Sequence, residues 1–251
     1  MNRAAPALTA EDLAVAAWQL PVSGLGEEGQ RRLKSASVLI SRVGGLGGVV
    51  AQQLAAAGVG RLILAHGGLL RPDDLNRQIL MSHAGLGRPR IESIRRRLAE
   101  FNPRLDLECL DENVSEANAA GLVAKADVVV DAAPLFAERY LLNREAVAQR
   151  KPMVEAAVYD LEFHLTSIIP GRTACLRCLY PEPSSTWTRR FPVVAPVPGT
   201  AGSLAALEVI KLLTGCAPPL ENRLLVFDLR SLEMQKLRVR RLPGCPDCGA
   251  L

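Results

Sequence analysis

"ISRVGGLGGVVAQQLAAAGVGRLILAHGG", residues 40–68, decides the fold. An apolar run, Val38–Ser41, enters a glycine loop. An Ala-rich helical stretch follows, then a second apolar run, Leu62–Ala65. This is the front half of a nucleotide-binding βαβ unit. Such a unit ends its second strand with an Asp or Glu that holds the ribose hydroxyls. Here the strand ends in Ala65-His66-Gly67-Gly68. The loop itself reads Arg42-Val43-Gly44-Gly45-Leu46-Gly47-Gly48, so Arg42 stands where G-x-G-x-x-G has its first, turn-forming glycine. Gly44 keeps the role that lets phosphate reach the helix N-terminus, and Gly47 the role that lets helix and strand pack closely. Taken alone, the loop suits phosphate binding and ordinary βα packing equally well.

Outward from this stretch the pattern repeats. Strands are expected at 37–41, 61–65, 105–110, 127–132 and 152–158, with helices at 46–57, 91–101, 115–125 and 136–150. Strands alternating with helices of 10–15 residues imply a doubly wound, mostly parallel Rossmann-like α/β sheet. The segment "HGGLLRPDDLNRQILMSHAGLGRPR", residues 66–90, is a long loop, and long ordered loops usually carry function. Past residue 158 the pattern changes. "EFHLTSIIP" and "RLLVFDLRSLEMQKLRVRRL" alternate as antiparallel strands, an extension of the sheet. Between them lie a Pro-rich crossover, "YPEPSSTWTRRFPVVAPVPG", and a helix, "TAGSLAALEVIKLLTG", with Gly215 as its C-cap. The expected organisation is an N-terminal helical segment, 1–34, and one domain, 35–251. That domain divides into a Rossmann-like half, 35–158, and a C-terminal half, 159–251, that carries the crossover, the antiparallel strands and the cysteine knuckles.

The chain has 251 residues, 49% of them hydrophobic, which is enough for a sizeable core. A net charge of +4 does not by itself imply nucleic acid, and the arginine trio Arg95-Arg96-Arg97 reads first as a solvated helix face. No apolar run reaches the roughly 18 residues of a membrane helix, and the start is too acidic and interrupted for a signal peptide. A cytoplasmic protein is expected, so its six cysteines read as thiols or metal ligands before disulfides. Cys175-Leu176-Arg177-Cys178 and Cys245-Pro246-Asp247-Cys248 are two C-x-x-C knuckles, the pattern of a closed, structural four-thiolate zinc site; redox chemistry is the alternative. Cys109 and Cys216 read as inert, and His83 and His164 as surface or satisfied core histidines.

With these motifs in order, the sequence resembles the ThiF/MoeB/HesA proteins, prokaryotic relatives of ubiquitin-activating enzymes. The resemblance covers residues 24–249. It rests on "GEEGQRRLKSASVLI", "GGLGGVVAQQLAAAGVGRLIL", "LNRQIL", "LGRPRIESIRRRLAEFNP", "DVVVDA", "CLRCLYPEP", "GTAGSLAALEVIKLL" and "PGCPDCG". Members bind MgATP, adenylylate the C-terminal glycine of a ubiquitin-like or sulfur-carrier protein, usually dimerise and often hold a four-cysteine zinc. The resemblance implies zinc on Cys175, Cys178, Cys245 and Cys248. It implies a nucleotide site on Gly44, Gly45, Gly47, Arg77 and Gln78, with Arg90 where the family has a lysine in G-x-P-K.

The departures fall at the chemistry. His66 replaces the ribose-binding aspartate, and Pro134 replaces the aspartate of D-x-x-D-N that positions magnesium. Asp74 stands for an asparagine, and Trp18 for the arginine that reaches the partner subunit's ATP. Where some members carry a reactive cysteine, this chain has Thr188 or a neighbour. The expectation is a fold retained with a degraded MgATP site and no catalytic residue assigned. The chain would be a binding or scaffold subunit for a ubiquitin-like or sulfur-carrier protein or peptide, paired with itself or with an active paralogue. The alternative is an active adenylyltransferase with rearranged ligands such as Asp74, Asp131 and His66. An NAD-dependent oxidoreductase is excluded by the absent acid and by the zinc signature; nucleic acid and membrane are not expected partners.

Overall fold

The structure is a computed structural model that describes residues 7–182 and 188–251. A single eight-stranded sheet organises it, in the order β3-β2-β1-β4-β5-β6-β7-β8. The strands are β1 (Ser37–Ser41), β2 (Arg61–Ala65), β3 (Asp106–Leu110), β4 (Val128–Asp131), β5 (Met153–Tyr159), β6 (Glu162–Ile168), β7 (Arg223–Asp228) and β8 (Glu233–Arg238). The strands β3, β2, β1, β4 and β5 pair in parallel, and β5 through β8 pair antiparallel. Every residue of Val128–Asp131 in β4 is buried, as a central parallel strand covered on both faces requires.

The helices are α1 (Ala10–Val15), α2 (Gly26–Ser35), α3 (Gly45–Ala57), α4 (Arg90–Phe101), α5 (Ala119–Ala124), α6 (Phe136–Ala148), α7 (Leu176–Leu179) and α8 (Pro196–Thr214). Two apolar cores cover the two faces of the sheet. One joins Leu33 of α2, Leu54 of α3, Ile94 of α4 and Ala205 of α8 to Ile40 and Leu64. The other joins Leu122 of α5 and Leu142 of α6 to Leu39, Val129 and the four knuckle cysteines. The closest helix pair is α3 and α8: a Cβ on Gly202 would lie 2.7 Å from Val49 Cβ and 2.8 Å from the Leu46 carbonyl.

Two helix starts differ from the sequence expectation by more than two residues. Helix α5 begins at Ala119 rather than near Ser115, because Asn118 Oδ1 accepts the Ser115 amide and Asn118 Nδ2 donates to the Asn113 carbonyl. Such local side-chain bonds compete with helix. Helix α8 begins at Pro196, inside the expected crossover, since proline in the first turn gives up only an N–H that would be orphaned anyway. Gly215 caps α8 as expected, at φ +73° with its amide on the Lys211 carbonyl. Among the described residues no helix is long and apolar enough to cross a membrane.

Candidate functional site

Loops leaving β1 and β4 diverge to opposite faces of the sheet, the place where open α/β sheets bind ligands. A cavity of about 640 Å³ opens there. The glycine loop, His66 and Asp73–Gln78 line it, with Ala132–Pro134 and Ala156–Val158 opposite and Arg189–Val193 along the crossover. Six arginines face it, Arg42, Arg71, Arg77, Arg139, Arg189 and Arg190, against two acids, Asp73 and Asp74. Arg189 shows the field they make. Partial desolvation pushes its guanidinium pKa down, and the charges of Arg42, Arg90 and Arg71 push it further. Such convergence of cations is the electrostatics of a polyanion site.

Each sequence-assigned residue has a place here. Gly44 caps α3 with His66 and Gln78 packed around it, the nearest atoms being 3.6–3.7 Å from where a Cβ would stand. Gly45 sits between Arg77 and Pro198. Gly47 lies behind the loop, where a Cβ would meet the Arg42 carbonyl at 2.6 Å. Arg77 Nη1 donates to the Asp73 carbonyl at 2.6 Å and to Asn76 Oδ1 at 2.8 Å. Gln78 Nε2 donates to Asp74 Oδ1 at 2.6 Å, which leaves Gln78 Oε1 buried without a partner among the described residues. Arg90 does not face the cavity. It is buried behind the wall, with its Nη2 on Asp74 Oδ2 at 2.6 Å.

His66 takes the ribose-clamp position as a buried, neutral imidazole. Desolvation, with Arg90 nearby, holds its pKa down to about 4. The Val43 backbone works the other way, toward the charged form, and Nδ1 has no partner among the described residues. A lone ring nitrogen in a polar pocket wall suits a ribose hydroxyl, which can accept from it or donate to it.

The carboxylates tell a different story. Asp74 receives the Arg71 amide, Gln78 and two bonds from Arg90. Burial works against its charge, but the Arg71 amide and Arg90 hold its pKa below the ordinary value. Asp131 is fully buried, its Oδ1 on the Ala133 amide and its Oδ2 on Arg139 Nε. Arg139 Nη2 bridges on to Glu155 Oε1 at 2.7 Å. Two buried acids share one guanidinium: burial and the charge of Asp131 push Glu155 up to about 7, so the pair holds a proton in acid and releases it near neutrality. Asp73 sits at the exposed rim, paired with Arg71. The wall residues therefore do not fit a magnesium ion, whose sites use uncommitted carboxylates. Asp74 and Asp131, expected as rearranged ligands, are both held by arginine.

Trp18 is 96% exposed, and Thr188 donates its hydroxyl to the Arg190 carbonyl. The neighbours of Thr188 at 183–187 lie outside the described residues. His83 is exposed, and His164 Nδ1 meets the Tyr180 hydroxyl at 3.0 Å. Burial raises the Cys109 thiol pKa, which fits an inert role. The sequence reading missed Arg71, Arg139, Arg189 and Arg190 as pocket residues, and took Arg42 only as a lost glycine. The one available signal was a charged residue in a glycine's place.

The second cluster is the knuckle. The Sγ atoms of Cys175, Cys178, Cys245 and Cys248 all lie within 4.8 Å of one another, and all four residues are buried. Neighbouring pairs stand at 3.5, 3.6 and 3.9 Å. A tetrahedron with metal–sulfur bonds of about 2.3 Å has edges of about 3.8 Å, so the four thiols fit one metal ion. The Leu242 amide points at Cys178 Sγ from 3.3 Å, the kind of bond that steadies a thiolate.

Comparison with known proteins agrees with this architecture. The model of the ThiF family matches residues 17–247. The protein HesA of Leptolyngbya boryana is 49% identical over 232 residues, 92% of this chain and 83% of the relative. The sulfur carrier protein adenylyltransferase of Thermus thermophilus is 36% identical, over 92% of this chain and 89% of the relative. Among solved structures, E. coli MccB with ATP superposes at a TM-score of 0.79 with 26% identity, over 89% of this chain and 70% of that one. A doubly wound sheet, a cationic switch-point pocket and a four-thiol knuckle describe a protein of the activating-adenylyltransferase type. The chain belongs to the ThiF family, and HesA proteins are among its relatives.

Proposed function

We propose that the chain binds an adenine nucleotide in the switch-point pocket and the C-terminal tail of a ubiquitin-like or sulfur-carrier protein, or of a peptide, next to it. It acts as a binding subunit rather than as an adenylyltransferase. One observation carries this: an open cavity faced by six arginines, on whose wall each acid is already paired with an arginine. Adenylyl transfer depends on cations placed where charge develops, and losing one such group costs on the order of a hundredfold in rate. The pocket keeps the means to hold phosphates and lacks the carboxylate that would place a metal on them. The nucleotide of MccB and the sulfur carrier of the Thermus relative supply the ligand classes to test. Zinc is the metal proposed for the knuckle, in a closed structural role. The subunit works as a dimer, with itself or with an active family member, in the cytoplasm.

A second reading, an active adenylyltransferase, is favoured by the unpartnered His66 Nδ1, which could replace the ribose clamp. ATP–pyrophosphate exchange separates the two. Measurable ATP binding without exchange, in the presence of candidate carriers, supports the binding subunit. Exchange at the rate of an active relative overturns it in favour of the enzyme.

A further inference from the structure

Arg42 occupies a glycine's place at a cost. Its φ is +57°, in the left-handed region, where a Cβ crowds the following carbonyl oxygen. Its backbone is also fixed, since its amide donates to the Ala65 carbonyl and its own carbonyl accepts the Gly44 amide. The side chain is held as firmly: Arg42 Nε donates to Glu138 Oε2 at 2.7 Å, in a pair only 13% and 6% exposed. Glu138 lies one turn beyond Pro134 and is not part of the cavity wall. Arg42 does face the cavity, and no acceptor among the described residues meets its Nη1 or Nη2. A strained residue whose locked fork is left open to a cavity points to a role for that fork.

The position explains the role. Arg42 sits at the end of β1 and Pro134 just past the end of β4, on the two sides of the switch point. We infer that the Arg42 guanidinium, anchored by Glu138, supplies the positive charge on the nucleotide's phosphates that a divalent cation would otherwise supply, so that the pocket binds nucleoside triphosphate without magnesium. The inference rests on the nucleotide-binding reading above and specifies its chemistry. Arg189, repelled by Arg42 and Arg71, faces the same cavity and is relieved by the same polyanion.

The test is calorimetric titration of the zinc-loaded full chain with ATP, in resin-treated metal-free buffer and again with excess magnesium. Equal affinity in the two buffers, within about threefold, is expected. Arg42→Gly should weaken ATP by about tenfold or more in the metal-free buffer, the loss of one charge-assisted bond. Arg42→Gly leaves Glu138 buried without its cation, so the pair is also removed from both sides: Arg42→Gly with Glu138→Gln should weaken ATP as much as Arg42→Gly alone, which separates a lost ligand contact from an uncompensated charge. ATP binding that tightens about tenfold or more with magnesium overturns the inference and leaves nucleotide binding standing. Unchanged ATP affinity in Arg42→Gly overturns it in the same way. No ATP binding in either buffer overturns both the inference and the reading beneath it.

Discussion

Arg90 and Asp74 form a closed ion pair at 2.6 Å, with side chains only 4% and 5% exposed. The resemblance implies a lysine and an asparagine at these positions; here an arginine and an aspartate meet instead, and each answers the other's charge. The charges are spent within the wall. Breaking a buried pair from one side leaves an uncompensated charge, a loss of about 3–5 kcal/mol. Asp74→Asn is expected to fall in that range in urea denaturation. Asp74→Asn with Arg90→Lys should recover part of it, because lysine can turn toward the cavity. A double variant no more stable than Asp74→Asn alone would show that the loss does not come from the unpaired Arg90 guanidinium.

The pocket also sets two opposing pH dependences. His66 ordinarily titrates at 6.5 and is held at about 4. Below pH 6.5 the unfolded chain takes up a proton that the folded chain refuses, so this contribution is lost as pH falls from 6.5 to 4. It amounts to roughly 3 kcal/mol for the full window. Glu155 ordinarily titrates at 4.5 and is raised to about 7. Its contribution is full below 4.5 and is lost as pH rises through 7. Stability measured between pH 5 and 6.5 should therefore fall more steeply with rising pH in His66→Gln than in the parent. Glu155→Gln should show the reverse change. Identical slopes in all three proteins would remove both assignments.

Much of this was legible from the residues alone. The alternation of strands and helices and the cysteine spacing pointed to the doubly wound sheet with its antiparallel extension and to the knuckle, because each is a short-range pattern; the strand order and the switch point came only with the structure. The arginine field was not legible. Arg71, Arg139 and Arg189 come from three separate segments and meet only through the topology. Nor does a sequence show that Arg90 turns inward to Asp74. That choice follows from an aspartate 16 residues away in the sequence, whose charge meets it only in space.

The orphaned His66 Nδ1 makes a sharper prediction for the ribose. If it accepts a hydroxyl, 2′,3′-dideoxy-ATP should bind about tenfold more weakly than ATP to the parent, and the two should bind His66→Ala alike. Competition titration with each nucleotide reads this directly. A preference for ATP that survives in His66→Ala would place the ribose elsewhere.

For the knuckle, metal analysis of the purified chain should find about one zinc per molecule. Cys248→Ser should lose the metal and unfold at lower urea, since structural zinc sites contribute on the order of 10 kcal/mol to folding. Metal-free parent protein with an unchanged urea midpoint would exclude the structural role.

Helix α6 ties the two sites together. Its first turn carries Glu138 and Arg139 toward the pocket. Further along, Asn143 Oδ1 holds the Leu176 amide while Asn143 Nδ2 holds Asp247, between two of the knuckle cysteines. The two halves of the knuckle are 70 residues apart in the chain. At ~5–20 residues per second, a ribosome takes roughly 4–14 s to make the second half after the first. During those seconds the helix that bears the pocket's ion pairs already exists, and the clasp that secures its far end does not. The nucleotide cradle is thus synthesised before the four-thiol cluster can be complete.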